Sequence, residues 1–207
     1  MEMIKRGAEA EIYLSSWRGR KVVIKRRIRK KYRIEKIDSQ IREQRTKREA
    51  LLIISARKAG VSVPIIYDVR LQRKEIVMQY IEGERLKDVI DMKSKEWQKK
   101  ICYMIGKSIA NLHKNSIIHG DLTTSNMIYK NGKLYFIDFG LGSKSKEIED
   151  MGVDLHLLME AFKSAHRNEA LFEWVTEAYM KNFENGKKVL KKVEEIAKRG
   201  RYMRRVE

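Results

Sequence analysis

His119-Gly120-Asp121-Leu122-Thr123-Thr124-Ser125-Asn126, followed at Asp138-Phe139-Gly140 by a second acidic motif, is the stretch on which the reading of this chain turns. An Asp and an Asn five positions apart, on a loop after a helix, can present one side chain to a hydroxyl and the other to a metal ion. Asp138 supplies a second carboxylate for the same ion. The residues between, from Met127 to Ile137, read as two short strands around the Asn131-Gly132 turn, the strongest short hairpin signal. Such a hairpin returns Asp138 to the side of Asn126.

Either motif alone is weak, and further parts are needed. Upstream, Lys21-Val22-Val23-Ile24-Lys25 reads as a β-branched strand closing in a lysine. An amphipathic helical segment from about Ser39 to Arg57 carries Glu49, with Glu43 as the competing acid. Glu49 is favoured as the partner of Lys25 because the apolar run Ala50-Leu51-Leu52-Ile53-Ile54 directly after it should pack on the sheet. A Lys ending a strand is most often solvated, and a helical Glu among Arg and Lys is most often a surface pair. In this order, however, the pieces resemble the protein-kinase signature set. The resemblance implies an α+β, bilobal, protein-kinase-like fold: an N-lobe (1–81) with an antiparallel sheet and one main helix, a reduced, mainly helical C-lobe (82–198), and a basic, flexible tail (199–207).

The same resemblance assigns roles. Lys25, Asp121, Asn126 and Asp138 form the catalytic group, with Asn126 and Asp138 on Mg²⁺. Lys25 would hold the α and β phosphates of ATP, and Glu49 would fix its ammonium. The apolar run Ile76-Val77-Met78-Gln79-Tyr80-Ile81 ends in a break at Gly83. Met78 would stand as gatekeeper there, with the backbone of Gln79 and Ile81 on the adenine edge. Gly7 belongs to the expected phosphate loop. Asp154, early in a helix from Met151 to Ala165 with Leu157, Leu158, Ala161 and Phe162 inward, would anchor the catalytic-loop backbone. A helix from Trp97 to Leu112 and another with Leu171, Trp174, Val175, Ala178 and Tyr179 inward complete the lobe, before a basic amphipathic helix from Lys187 to Lys198.

Composition bounds the class. With 43% hydrophobic residues in 207, the chain can bury a core. There is no apolar run long enough to cross a membrane and no signal-peptide core at the N-terminus, so a cytoplasmic protein is expected. One cysteine, Cys102, and four histidines without ligand spacing exclude a disulfide framework and a Cys-based zinc site. Lys plus Arg is 46 against 28 acids, a net +18, densest from Arg26 to Arg33 and again from Lys198 to Arg205. A one-sided excess of this size points to a polyanionic partner such as RNA.

The departures from an ordinary kinase are informative. The phosphate loop reads Gly7-Ala8-Glu9-Ala10-Glu11, one glycine and two acids, where Gly-x-Gly-x-x-Gly is usual. Gly120 stands where an Arg would receive a phosphorylated activation loop, and Thr123 where a Lys would face the γ-phosphate. Glu149-Asp150 follows Gly140 within ten positions and no Ala-Pro-Glu appears, so the platform for a peptide substrate is missing.

These features together resemble the small atypical kinase subunit of the KEOPS complex, the PRPK family. The resemblance rests on Lys25 to Glu49, His119 to Asn126, Tyr135 to Gly140, Val153-Asp154-Leu155 and the Arg199-Gly200-Arg201 tail. It implies a Mg-ATP-dependent kinase or ATPase supporting N6-threonylcarbamoyladenosine formation at position 37 of tRNA. The implied partners are the threonylcarbamoyl-transferase subunit, toward which the tail points, a small adaptor at the N-lobe, and tRNA. A RIO-type or small-molecule kinase of the same fold needs an acceptor pocket, for which the 67 residues after Gly140 leave little room. A pseudokinase scaffold is disfavoured by the intact Lys25, Asp121, Asn126 and Asp138.

Overall fold

The computed structural model describes residues 1–203. The chain opens with β1 (Glu2–Arg6), β2 (Ala10–Trp17) and β3 (Arg20–Arg27), then α1 (Glu35–Lys58), β4 (Ile66–Arg70) and β5 (Glu75–Gln79). The five strands form one antiparallel sheet in the order β1-β2-β3-β5-β4. Arg18 and Gly19, both at positive φ (48° and 74°), make the tight β2–β3 turn whose twist suits a hairpin. Side chains alternate across β3: Val22 and Ile24 pack with Val77 on the outer face under Tyr13, Trp17 and Tyr67. Val23, Lys25 and Arg27 therefore face the other way, toward α1 and the cleft.

The main helix begins earlier than the sequence reading has it. Glu35 and Asp38 occupy its first turn, where acids complement the helix dipole. Asp38 is fully buried and accepts from Arg42 Nε (2.7 Å) and the Lys30 backbone N–H (3.2 Å), tying the basic linker to the helix. The expectation that Ala50 to Ile54 packs as a block is corrected. Ala50 lies against Ile76 and Met78, and Leu52 and Ile53 join the main core, but Leu51 and Ile54 are exposed. Five consecutive residues on a helix sweep all round its axis, so one face cannot bury them all.

The helical lobe follows: β6 (Glu84–Arg85), α2 (Leu86–Val89), α3 (Lys95–Lys114), β7 (Ile117–Ile118), β8 (Met127–Lys130), β9 (Lys133–Phe136), β10 (Ser143–Lys144), α4 (Ile148–Ala165), α5 (Leu171–Asn182) and α6 (Gly186–Met203). Ile101, Ile105, Ile109 and Leu112 form the buried stripe of α3 and Trp97 packs at its margin. Gly106 sits on the same face, where a Cβ would lie 2.2 Å from the Val175 carbonyl oxygen, so only glycine lets α5 approach this closely. Along α4 the buried stripe is Met151, Asp154, Leu155, Leu158 and Phe162. Leu157, expected inward, is 39% exposed because it falls off that stripe. On α5, Leu171, Val175, Ala178 and Tyr179 are buried and Trp174 is partly so. Helix α6 packs on α4, with Lys192 (3.2 Å) and Arg199 (3.1 Å) both on Glu149. It continues past Arg199 through Gly200 to Met203, so the start of the expected flexible tail is helical. The last four residues of that tail, 204–207, lie outside the described residues.

One hydrophobic cluster runs from Leu52 and Ile53 on α1 through α3, α4 and α5 to Val189 and Val193 on α6, and fixes the loop after α3 relative to α1. Strands β8 and β9 pair as the hairpin anticipated from Asn131-Gly132, both at positive φ (47° and 77°), with Met127 opposite Phe136. Asp138 is thereby returned to Asn126, where the Ile137 N–H donates to the Asn126 carbonyl at 2.9 Å.

Candidate active site

The site is assembled from β3, α1, the loop after β7 and the turn after β9. Lys25 comes from the inner face of β3 and is buried, with its ammonium 2.6 Å from Glu49 Oε1 and 2.7 Å from Asp138 Oδ1. Glu43 is elsewhere, 2.7 Å from Lys74, so the helix register favoured from sequence is the one observed. Burial alone would lower the Lys25 pKa, but the Glu49 and Asp138 carboxylates outweigh it and hold the ammonium above its ordinary value. Asp138 shows the reciprocal effect: burial would raise its carboxyl, yet Lys25 and the Gly140 N–H (3.2 Å to Oδ1) hold it below the usual range. Both groups are therefore charged near neutral pH.

Asp138 adopts φ +65°, a left-handed conformation that a side chain tolerates only when its surroundings fix it. The fixing partner is Lys25, and Gly140 makes room. A Cβ on Gly140 would sit 3.0 Å from Asp138 Oδ1 and 3.2 Å from Lys25 Nζ.

Asn126 closes the turn Thr124–Asn126. Its Nδ2 donates to both the Asp121 carbonyl (3.0 Å) and Asp121 Oδ2 (2.7 Å). The amide is thus oriented with Oδ1 left to act as a ligand, while Asp138 Oδ2 makes no protein hydrogen bond among the described residues. One amide oxygen and one carboxylate oxygen fit Mg²⁺, which takes few protein ligands and completes its shell with water and phosphate oxygens. Asp121, its carboxylate oriented by Asn126, lines a cavity of about 300 Å³ with Lys25, Asp138 and the Gly7–Ala10 turn. An adjoining cavity of about 400 Å³, lined by Val23, Met78, Gln79, Ile81 and Ile137, shares Lys25 and Asp138 with it. Its apolar walls fit a base, and the Gln79 N–H is held by the Ile65 carbonyl at 2.8 Å, which fixes the strand end beside Ile81.

The loop carrying Asp121 is pinned at both ends. At its start the buried Asp154 accepts from the His119 and Gly120 N–H groups, each at 2.8 Å. Asp154 is itself held by His113 Nε2 (3.3 Å), and His113 Nδ1 accepts from the Tyr179 hydroxyl (2.7 Å). Burial pushes the Tyr179 phenol up, so it keeps the proton that it donates. At the far end Thr124 Oγ1 meets His166 Nε2 at 2.8 Å, and His166 Nδ1 meets Asp91 at 3.0 Å. His119 is buried between Phe136 and Phe139, and burial lowers its pKa against the pull of Asp154. Its neutral ring donates from Nε2 to the Ile137 carbonyl (3.2 Å) and accepts the Asp121 N–H at Nδ1 (3.3 Å). Asp154→Ala is expected to lower unfolding stability by roughly 3 kcal/mol, since several buried donors lose one charged acceptor. Urea unfolding of this variant beside the exposed Asp150→Ala checks it, and equal midpoints would contradict the anchoring role.

Gly120 has a reason that the sequence did not disclose. At φ +81° a Cβ there would lie 2.4 Å from the Leu141 carbonyl oxygen, so the loop carrying Asp121 packs directly on the backbone after Phe139-Gly140. Sequence reading also missed Arg27, buried at 4% exposure, whose Nη2 takes the second Glu49 oxygen at 2.6 Å. The period-two alternation of β3 was the available signal, because Arg27 must share the face of Lys25.

Known proteins resemble this chain over most of its length. The RIO domain family model matches residues 11–171. The chain is 45% identical to the KEOPS complex subunit Bud32 of Pyrococcus abyssi, over 99% of its own length and 98% of that protein's. It is 41% identical to the "Probable serine/threonine-protein kinase BUD32 homolog" of Archaeoglobus fulgidus, covering 97% of this chain and 96% of the other. A "Probable bifunctional tRNA threonylcarbamoyladenosine biosynthesis protein" of Methanobrevibacter smithii is 46% identical over 97% of this chain, which spans 36% of that longer protein. Among solved structures, WaaP in complex with acyl carrier protein superposes with a TM-score of 0.66 at 11% identity, covering 96% of this chain and 88% of that one. At that identity the likeness concerns the fold alone.

Proposed function

The chain belongs to the RIO-domain family, alongside the KEOPS subunit Bud32, and on that premise we propose that it is a Mg-ATP-dependent atypical serine/threonine kinase and ATP hydrolase of a KEOPS-type complex. Its role there is to support formation of N6-threonylcarbamoyladenosine on tRNA. The observation that carries this reading is the continuous ion-pair chain Glu49–Lys25–Asp138 facing an Asp121 that Asn126 orients.

Lys25, Met78, Gln79, Ile81 and the Gly7 turn would hold the nucleotide, with Asn126 and Asp138 on its metal. When bound, Mg-ATP supplies the transferable phosphoryl group and the cation that neutralises its charge. Lys25 stays protonated because two carboxylates face it. Asp121 orients the attacking hydroxyl or water and accepts its proton. The short link from Gly140 to Ile148 leaves no platform for a peptide, which supports water as an acceptor beside a Ser/Thr hydroxyl. The metal and the nucleotide would be held between the lobes proposed at 1–81 and 82–198.

Full-length similarity to Bud32, and to one third of a bifunctional tRNA threonylcarbamoyladenosine biosynthesis protein, supports a transferase subunit as working partner. A small adaptor at the N-lobe and tRNA on the basic surface complete the proposed assembly, with the segment from 199 as a docking element. No helix among the described residues is long and apolar enough to cross a membrane. The site of action proposed for the complex is the cytoplasm. The test is ATP hydrolysis and autophosphorylation by the purified chain, alone and with partner subunits and tRNA. Turnover that needs Mg²⁺ and rises with partners is expected. Nucleotide binding without turnover in every combination would instead make the chain a scaffold.

A further inference from the structure

The acids in the phosphate loop are not idle. Glu9 crosses the phosphate end of the cleft and places one carboxylate between two guanidinium groups, Oε1 at 2.5 Å from Arg45 Nη1 and Oε2 at 3.3 Å from Arg27 Nη1. Lys30 reaches the carbonyl of the neighbouring Ala8. Arg27 is nearly fully buried, while the Glu9 and Arg45 side chains are 41% and 32% exposed. Arg27 lines the same cavity as Lys25, Asp121, Asp138 and Gly140, and its Nη2 lies 3.4 Å from the Cβ position of Gly140.

Charge counting explains why an acid is there. Glu49 is the buried carboxylate between two buried cations, Lys25 and Arg27, and a cation out of water needs its own counter-charge. Arg27 Nε is buried without any partner, so this guanidinium is under-satisfied even with Glu9 in place. Burial would raise the Glu9 carboxyl, but Arg45, Arg27 and Lys30 bring it below its ordinary value, as expected for an anion in a cationic cradle.

We propose that Arg27 and Arg45 form a phosphate subsite that Glu9 fills in the free protein, and that the terminal phosphate of a nucleoside triphosphate displaces Glu9 from it. The subsite rests on the Mg-ATP reading and deepens it. Guanidinium forks donate to a carboxylate or a phosphate in the same two-point geometry, and the phosphate brings more charge. Displacement needs only a side-chain rotation, because the Glu9 backbone stays fixed: its carbonyl accepts from the Ile28 N–H at 3.1 Å and Ala10 continues in register with Arg27. Cations that an acid guards would thus replace the missing glycines, and the site would read the terminal phosphate. A diphosphate, which lacks that group, would leave Glu9 where it is.

The experiment is calorimetric binding of a non-hydrolysable ATP analogue and of ADP, each with Mg²⁺, to the full chain, to Glu9→Gln and to Arg45→Gln. Both substitutions are at half-exposed side chains, and melting scans verify the fold. Glu9→Gln should bind the triphosphate roughly five-fold tighter, and Arg45→Gln roughly five-fold weaker, on the scale of one charged hydrogen bond partly open to solvent. ADP affinity should be unchanged in both. A Glu9→Gln chain with wild-type affinity for the triphosphate overturns the subsite, as does an Arg45→Gln chain that loses ADP and triphosphate alike. A wild-type chain that binds neither nucleotide overturns the Mg-ATP reading together with the subsite.

Discussion

Asp138→Asn is expected to lower Mg-ATP turnover by roughly 10³-fold, the upper range for deleting one preorganised charged group from an active site. Asn is the informative substitution because residue 138 sits at φ +65°, where Asn is among the few side chains tolerated and Ala would add backbone strain. It preserves shape and the Gly140 N–H contact to Oδ1 while removing the charge offered to the metal. Lys25 keeps Glu49, so melting should shift by only a few °C, on the order of a ~1 kcal/mol change for a chain of this size. Turnover and melting are measured on the same preparation. Wild-type turnover in a folded Asp138→Asn chain would sink the metal assignment, and loss of turnover with a collapsed melting point would mean that Asp138 acts mainly in folding.

What could be read from the sequence follows the range of the interactions. Local signals transferred well. Asn131-Gly132 specifies a hairpin through its own backbone conformations, and that hairpin alone carries Asp138 back to Asn126. The choice of Glu49 over Glu43 rested on the apolar run after it, of which only Ala50, Leu52 and Ile53 are buried, yet the two acids do meet different lysines because six positions on a helix separate their faces. Asp154 was legible as an anchor, but His113 and Tyr179 behind it were not, because nothing in the spacing of 113, 154 and 179 marks them as neighbours. The Glu9 cradle is harder still. With 46 cations in the chain, which of them meets Glu9 is decided by how β3 and α1 pack, not by any local pattern. Gly120 was readable only as a missing Arg, since its tight approach to Leu141 is a contact between two separate loops. In the sequence Gly200 reads as the end of order. A glycine within a helix costs only about 1 kcal/mol, and the helix runs through it to Met203.

Glu49→Ala should be the most destabilising single change in the site. Glu49 is 2% exposed and gives one oxygen to Lys25 and the other to Arg27, both at 2.6 Å. Removing it leaves two buried cations facing each other with only half-exposed acids, Asp138 and Glu9, as partners. Breaking a buried ion pair from one side costs about 3–5 kcal/mol, a large part of the stability of an ordinary domain. Turnover should fall about 100-fold even at temperatures where the variant is folded, because Lys25 is no longer held in place and small displacements of a positioned group cost that much. Glu43→Ala is the control. Its carboxylate is half-exposed, pairs with the buried Lys74 and lines neither cavity, so turnover should stay within about two-fold of wild type, with a stability loss of about 1–3 kcal/mol for the ammonium left without its acid. Denaturant unfolding and steady-state turnover of the two variants decide the matter. If Glu43→Ala loses more turnover than Glu49→Ala, Lys25 is organised by another acid during the reaction, and the ion-pair chain from α1 to Asp138 is not what holds the site ready.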